Sequence, residues 1–342
     1  MGYEVGGRLA RDSRAAWTDF AHAVDYAFPK LYNFTTWQGM GRQPDAAGGY
    51  ALYMLRLADL SCGEPCLQEA KAAVRAFPGH GFAFAYETHM TAAAALAAAE
   101  LAVRTGDDTW LDYAYGPVAN LIRLSWIYEI DYGPAGPART FFGLMPTQEA
   151  GVITPKEQYE AWVYLAEFLR LAHGRMDPDV EKLVAEFYQS SLFTLADSLP
   201  PRLPPGVATE HPAAYDTVAS NRLDLYIPLE DMGGGWDVWG AIGQEVYGAG
   251  MAPTFAALAY EEVAPAVTIY GGYPPAGVQR EDDRILVTWA GGSGYRAPVT
   301  AWGVAGVMLG DVEVPTERCG EALCFSVEAG RRYSSCLQPT SD

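Results

Sequence analysis

Residues 229–250 read LEDMGGGWDVWGAIGQEVYGAG and bring together side chains suited to proton transfer and to ring stacking. Glu230, Asp231 and Asp237 flank a run of glycines. Like charges held close raise the pKa of one member, which suits a general acid. Trp236 and Trp239 offer flat apolar faces on which a pyranose ring can stack, and Tyr247 offers a phenolic proton. The glycines let the backbone approach a ligand closely or take positive φ. A plainer role fits the same residues: the carboxylates as helix N-caps in a solvated loop, the aromatic rings as core.

A second chemical stretch is FAYETHM at 84–90, which places Glu87 and His89 immediately before an alanine-rich helix. Polar groups entering a core there must be hydrogen-bonded or cost a few kcal/mol. Glu87 or Thr88 therefore reads as a cap, with His89 either satisfied structurally or projecting as a base. Two long loops, 130–153 and 199–236, add Arg139 and Glu149, then His211, Asp216, Asn221 and Arg222. Long loops interrupting a regular array are more often functional than idle. Each of these residues also has an ordinary structural use, and their weight lies in convergence.

The elements that must position them are helical before residue 262. MTAAAALAAAELAV, EQYEAWVYLAEFLRLA and DVEKLVAEFYQSSLFTLADSL carry apolar residues at spacings of three and four. TPKE at 154–157 supplies an N-cap, a first-turn proline and a capping-box glutamate, and Asp177–Pro178 repeats the logic. Three segments share one plan, an apolar helix, a polar break near residue 64, 107 or 176, and a second helix. Such a period predicts one helical hairpin per repeat. After residue 262 the texture is β: AVTIY, RILVTWA, PVTAWGV, VMLGDVEVP, ALCFSVEAG and RYSSCLQ, with partial alternation at Val312/Val314 and Phe325/Val327. The expected fold is mainly α with a C-terminal all-β domain, divided as 1–262 and 263–342.

The 342 residues carry a formal charge of −19 with no basic cluster, which argues against nucleic acid and anionic membranes as partners. No apolar run reaches the roughly 18–20 residues of a membrane span. The N-terminus has no signal-peptide core, so the compartment is open between cytoplasmic and secreted with the signal removed. Of five cysteines, Cys319, Cys324 and Cys336 crowd the C-terminus and could form one disulfide, while Cys62 and Cys66 sit in SCGEPC. No Cys/His spacing fits zinc, and no phosphate-binding or dinucleotide motif is present, so no cofactor is expected.

RTGDDTWLDYA at 104–114 looks like an inter-hairpin turn, and FSVEAGRRYSSCL at 325–337 like a closing strand pair. On these residues the chain resembles the six-hairpin (α/α) toroid carbohydrate-active enzymes, which include polysaccharide lyases and glycoside hydrolases. The resemblance implies an incomplete toroid of helical hairpins followed by a small antiparallel β-sandwich, and a poly- or oligosaccharide as partner. It implies cleavage of glycosidic bonds by elimination or hydrolysis. Elimination needs a base, a proton donor and a group neutralising the uronate; His89, Tyr247 and Arg139 are the candidates. Hydrolysis needs two carboxyl groups, and Glu149, Glu230 and Asp231 are the candidates. Glu87, Arg139, Asn221, Arg222, Trp236 and Trp239 would bind substrate. The negative charge leans toward a neutral glycan, the toroid-plus-sandwich outline toward a lyase. The alternatives are a non-catalytic glycan-binding or assembly subunit, part of a larger enzyme, or a helical-repeat scaffold for a peptide.

Overall fold

The computed structural model describes residues 14–129 except 34 and 37, residues 140–144, residues 155–197, and residues 259–336 except 282, 283, 293 and 295. Its described part is mainly helical up to Asp197 and all-β from Tyr260, the two-part texture expected from the sequence. Contacts group Met1–Ser125 with Leu144–Gly151 as one compact unit, and Trp126–Gly143 with Val152–Asp342 as the other. This grouping does not fall at residue 262.

In the first unit, α1 (14–23) and a small hairpin of β1 (Leu31–Asn33) and β2 (Gln38–Met40) precede four longer helices. These are α2 (Ala46–Leu57), α3 (Glu64–Arg75), α4 (Thr88–Thr105) and α5 (Asp112–Arg123). A wide turn at Ala58–Cys62, closed by the Cys62–Cys66 disulfide, folds α3 back along α2. Gly106, at φ 70°, ends α4 in the left-handed conformation that glycine adopts freely. The Asp107 carboxylate then accepts from the Thr109 amide at 3.0 Å and starts the turn into α5.

Helices α2 and α4 run parallel. Asp45, before α2, bonds the start of α4, while Arg56 near the end of α2 donates to Glu100 near the end of α4 at 2.7 Å. Helix α5 returns, because Asn120 near its C-terminus donates to the carbonyl of Gly81 at 3.1 Å, ahead of α4. The alanines of α4 explain the close approach: Ala92 to Ala99 are all buried, and a Cβ at Gly48 of α2 would lie 2.4 Å from that of Ala94. Helix α1 is fastened by Glu69 of α3, which accepts from His22 and Tyr26 at 2.9 Å; Tyr50 of α2 donates to it at 3.0 Å.

Strands β3 (Ser125–Glu129) and β4 (Thr140–Leu144) pair, so a strand occupies part of the stretch 130–153 that the sequence suggests is loop. In the second unit, α6 (Pro155–Ala172) and α7 (Pro178–Asp197) form a third hairpin. Asp177 caps α7 as its sequence implies, accepting from the Asp179 amide at 2.9 Å. The Trp162 ring stacks on that of Tyr188 with centroids 4.6 Å apart.

Ten strands follow: β5 (Tyr260–Ala264), β6 (Val267–Gly271), β7 (Pro275–Glu281), β8 (Arg284–Trp289), β9 (Arg296–Trp302), β10 (Gly306–Leu309), β11 (Val312–Glu313), β12 (Glu317–Cys319), β13 (Ala322–Glu328) and β14 (Arg332–Cys336). They make two antiparallel five-stranded sheets, ordered β11-β10-β14-β8-β7 and β12-β13-β9-β6-β5. Alternate residues such as Ile285, Val287 and Trp289 on β8, or Ala297, Val299 and Ala301 on β9, are buried. The Trp289 ring of one sheet lies against Gly271 of the other, where a Cβ would come within 2.6 Å of it.

Two details depart from expectation. The strands of segment 325–337 do not pair with each other: β13 joins β9 and β12, whereas β14 joins β8 and β10. Val312 is 69 % exposed on a two-residue edge strand, so its alternation with Val314 marks no core face. Cys319 and Cys324 pair across β12 and β13, one disulfide within the C-terminal trio.

The α6–α7 hairpin packs on this β structure. Gln189 donates to the carbonyl of Arg296 at 3.2 Å and accepts from the Tyr273 hydroxyl at 3.0 Å. Arg170 donates to the carbonyl of Pro275 at 3.1 Å and pairs with Glu261. Gly292 permits the approach, since a Cβ there would stand 2.6 Å from the Cβ of Lys182.

Candidate functional site

Parallel α2 and α4 bring two N-termini to one end of the first unit, where their amides favour negative charge. Asp45 and Glu87 stand before these helices, 42 residues apart, in corresponding places of successive hairpins. Their surroundings differ. Asp45 is fully buried, and its Oδ2 accepts from the amides of Tyr86 and Glu87, both at 2.7 Å, and from the Thr91 hydroxyl at 2.9 Å. Burial pushes its carboxyl up to about 7; the bonds from Tyr86, Thr91 and Glu87 oppose that, and the Glu87 charge adds to it.

The Glu87 side chain is 33 % exposed. Gln43 donates to its Oε2 at 2.9 Å, and His89 Nε2 lies 3.5 Å from the same oxygen, an ion-pair separation rather than a good hydrogen bond. His89 is 15 % exposed. Asp45 Oδ1 and His89 Nδ1 are buried with no hydrogen-bond partner among the described residues. Lys30 Nζ sits 3.8 Å above the Tyr86 ring, a cation beside the cluster.

The sequence suggests Glu87 or Thr88 as the cap of α4. Glu87 holds the N-cap position with extended backbone, yet its side chain makes no capping bond. Asp45, from the preceding hairpin, bonds the entry segment instead, which leaves the Glu87 carboxylate to Gln43 and His89. A carboxylate beside an imidazole, both reached by solvent, can exchange a proton with a bound molecule. Asp45 cannot touch one and acts by holding residues 86–91 in place.

No model of a known protein family matches the sequence, and no curated protein matches it. The site therefore rests on its geometry.

Of the residues singled out from sequence, the structure brings Glu87 and His89 together. Arg139, Glu149, Asn221, Arg222, Glu230, Asp231, Trp236, Trp239 and Tyr247 lie outside the described residues, as do His211, Asp216 and Asp237. Sequence reasoning missed Asp45 and Gln43. Asp45 carried a visible signal, an aspartate directly ahead of the apolar run AAGGYALYML, but as a local cap. Its bonds to residues more than forty positions away have no sequence mark. Among the described residues, no group of three or more His, Cys, Asp or Glu is placed to hold a metal ion, and no helix is long and apolar enough to cross a membrane.

Proposed function

We propose that this chain acts on carbohydrate, cleaving glycosidic bonds of a poly- or oligosaccharide, with Glu87 and His89 as a proton-transfer pair. The observation that carries the reading is the partly exposed Glu87 carboxylate, fixed by Gln43 and His89 at the common N-terminal end of two parallel helices. Support for a toroid comes from the hairpin order, in which α2 and α4 run side by side while α3 and α5 return. Repeating that step around a circle produces an (α/α) toroid, and the two hairpins of the first unit would be part of an incomplete one. In elimination, His89 would take the proton next to the uronate carboxyl, Glu87 would stabilise the imidazolium that forms, and the leaving oxygen would be protonated by Tyr247, with Arg139 neutralising the uronate. In hydrolysis, Glu87 would be one of two carboxyl groups, the second coming from Glu149, Glu230 or Asp231.

The test is turnover on a panel of neutral and uronate polysaccharides, following reducing ends together with the ultraviolet absorbance of an unsaturated uronide. Both signals mean elimination; reducing ends alone mean hydrolysis. In either case Glu87→Gln should lower kcat about a hundredfold or more while the fold survives. Silence in both channels sinks the reading. A non-catalytic glycan-binding subunit is the second reading, favoured by one fact: of the two carboxylates at this end, only Glu87 reaches solvent.

A further inference from the structure

Helix α3 begins without the usual supports of a helix start. Gly63 holds its N-cap position at φ 54° and has no side chain to cap with, and Pro65 in the first turn has no amide hydrogen. The turn ahead of it, Ala58–Cys62, buries none of its residues. Two ties close that turn: the Gly63 amide donates to the Ala58 carbonyl at 3.2 Å, and Cys62 is joined to Cys66. The disulfide stands where a capping side chain would otherwise hold the helix start.

Its two sulfurs are unequally placed. Cys62 is partly exposed in the turn, whereas Cys66 is buried, 1 % exposed, in the first turn of α3. Cys66 also borders a hollow of about 370 Å³, where Arg14, Thr18 and Asp19 of α1 face Pro65, Cys66 and Glu69 of α3. Glu69, one turn beyond Cys66, is the carboxylate that His22 and Tyr26 reach at 2.9 Å. The Tyr50 hydroxyl lies 3.0 Å from Glu69 Oε1 and 3.2 Å from Thr18 Oγ1, a second link to α1. The hold on α1 therefore depends on where the start of α3 stands.

We propose that Cys62–Cys66 is a thiol-exchange site, opened by a small thiol or dithiol, and that its redox state sets how firmly α1 is held. An incoming thiolate attacks the reachable Cys62 sulfur. The new S–S bond forms as the Cys62–Cys66 bond breaks, and the electron pair leaves on Cys66. That thiolate departs in the first turn of α3, where helix amides favour negative charge. A second thiolate, or the second sulfur of a dithiol, then releases Cys62. The chain gains two electrons and two protons, and the reductant becomes a disulfide. With the tie gone the start of α3 frays, and Glu69 is no longer fixed against α1, while Ala70, Ala73 and Val74, buried further along, keep the rest of α3 in place.

Hydrogen exchange on the full chain, read by mass spectrometry with and without dithiothreitol, tests it. Amides of residues 14–23 should exchange about tenfold or more faster in the reduced chain, while those of α4 and α5 stay unchanged. Cys62→Ser/Cys66→Ser should be fast in both conditions, and so should Glu69→Ala, which lacks the contact that transmits the change. Equal exchange of 14–23 in oxidised and reduced wild type overturns the proposal, and this comparison decides even where a variant fails to fold. A redox response surviving in Cys62→Ser/Cys66→Ser, which keeps Cys319–Cys324, overturns it too, as does one surviving in Glu69→Ala. The point of attack is read with oxidised glutathione: Cys66→Ser should take the adduct on Cys62 about tenfold or more faster than Cys62→Ser takes one on Cys66. Faster labelling of Cys66 overturns the assignment of Cys62 as the entry sulfur.

Discussion

Asp45 in the first unit and Glu181 in the second solve one local problem with opposite electrostatic results. Each is a buried carboxylate that accepts two backbone amides and one side-chain donor. For Asp45 these are Tyr86, Glu87 and the Thr91 hydroxyl; for Glu181 they are Gly174 at 3.1 Å, Gly291 at 2.9 Å and His173 Nδ1 at 2.6 Å. Burial pushes both carboxyls up. At Glu181 the bonds from His173 and the two amides outweigh it, and the net shift is downward. At Asp45 burial wins and the carboxyl rises to about 7. The third partner makes the difference: an imidazole can carry the compensating charge and a hydroxyl cannot, while Glu87 next to Asp45 adds charge of the same sign. Acceptor bonds alone do not keep a buried carboxylate ionised.

Removing the compensated carboxylate should have the largest effect. Glu181→Ala should lower unfolding free energy by about 3 kcal/mol at neutral pH, because it strands His173 and two amides and detaches the α6–α7 turn from Gly291. A loss under about 1 kcal/mol in denaturant titration would reduce the two carboxylates to equivalents.

The next effect is in pH dependence. The folded pKa of Asp45 lies above its ordinary value, so its contribution is full below about pH 4 and is lost as pH rises through about 7. Asp45→Asn keeps a neutral acceptor and should remove about 2 kcal/mol of that decline, half of what the full shift implies. Equal declines in both proteins, measured by unfolding at intervals from pH 4 to 8, would break the comparison.

The smallest effect belongs to His173. Its bond to Glu181 raises its pKa above 6.5, with burial opposing, so its stabilisation is full below about 6.5 and fades as pH rises through the raised folded value. Glu181 runs the other way, stabilising above its ordinary 4.5 and losing that as pH falls through the lowered value. The pair is therefore strongest between about pH 4.5 and 6.5, where Asp45 is already costing stability. His173→Gln should take away about 1 kcal/mol in that window and progressively less as pH rises through the raised folded value. A constant loss across pH would assign His173 to packing.

The β region shows how far the pattern of residues reaches. The six runs legible in the sequence each overlap one of the six interior strands β6, β8, β9, β10, β13 and β14. The strands not legible as separate elements, β5, β7, β11 and β12, are the four sheet edges. Alternation exists only where one face is buried, and an edge such as PAGVQRE, exposed from Gly277 onward, leaves no period to read. Helical hairpins were legible because their breaks at Gly106 and Gly174 are local chemistry, and the caps at Asp107 and Asp177 reach two or three residues ahead.

By itself, the sequence determined the helical and β halves, the hairpin breaks, and Glu87 and His89 as polar residues at a helix start. Each follows from neighbours along the chain. Tertiary structure decided that Asp45 rather than Glu87 would bond the entry to α4, and that the α6–α7 hairpin would join the strands. These depend on which surfaces meet after burial, and the partners met there decide whether a buried carboxyl such as Asp45 or Glu181 holds its proton near neutral pH.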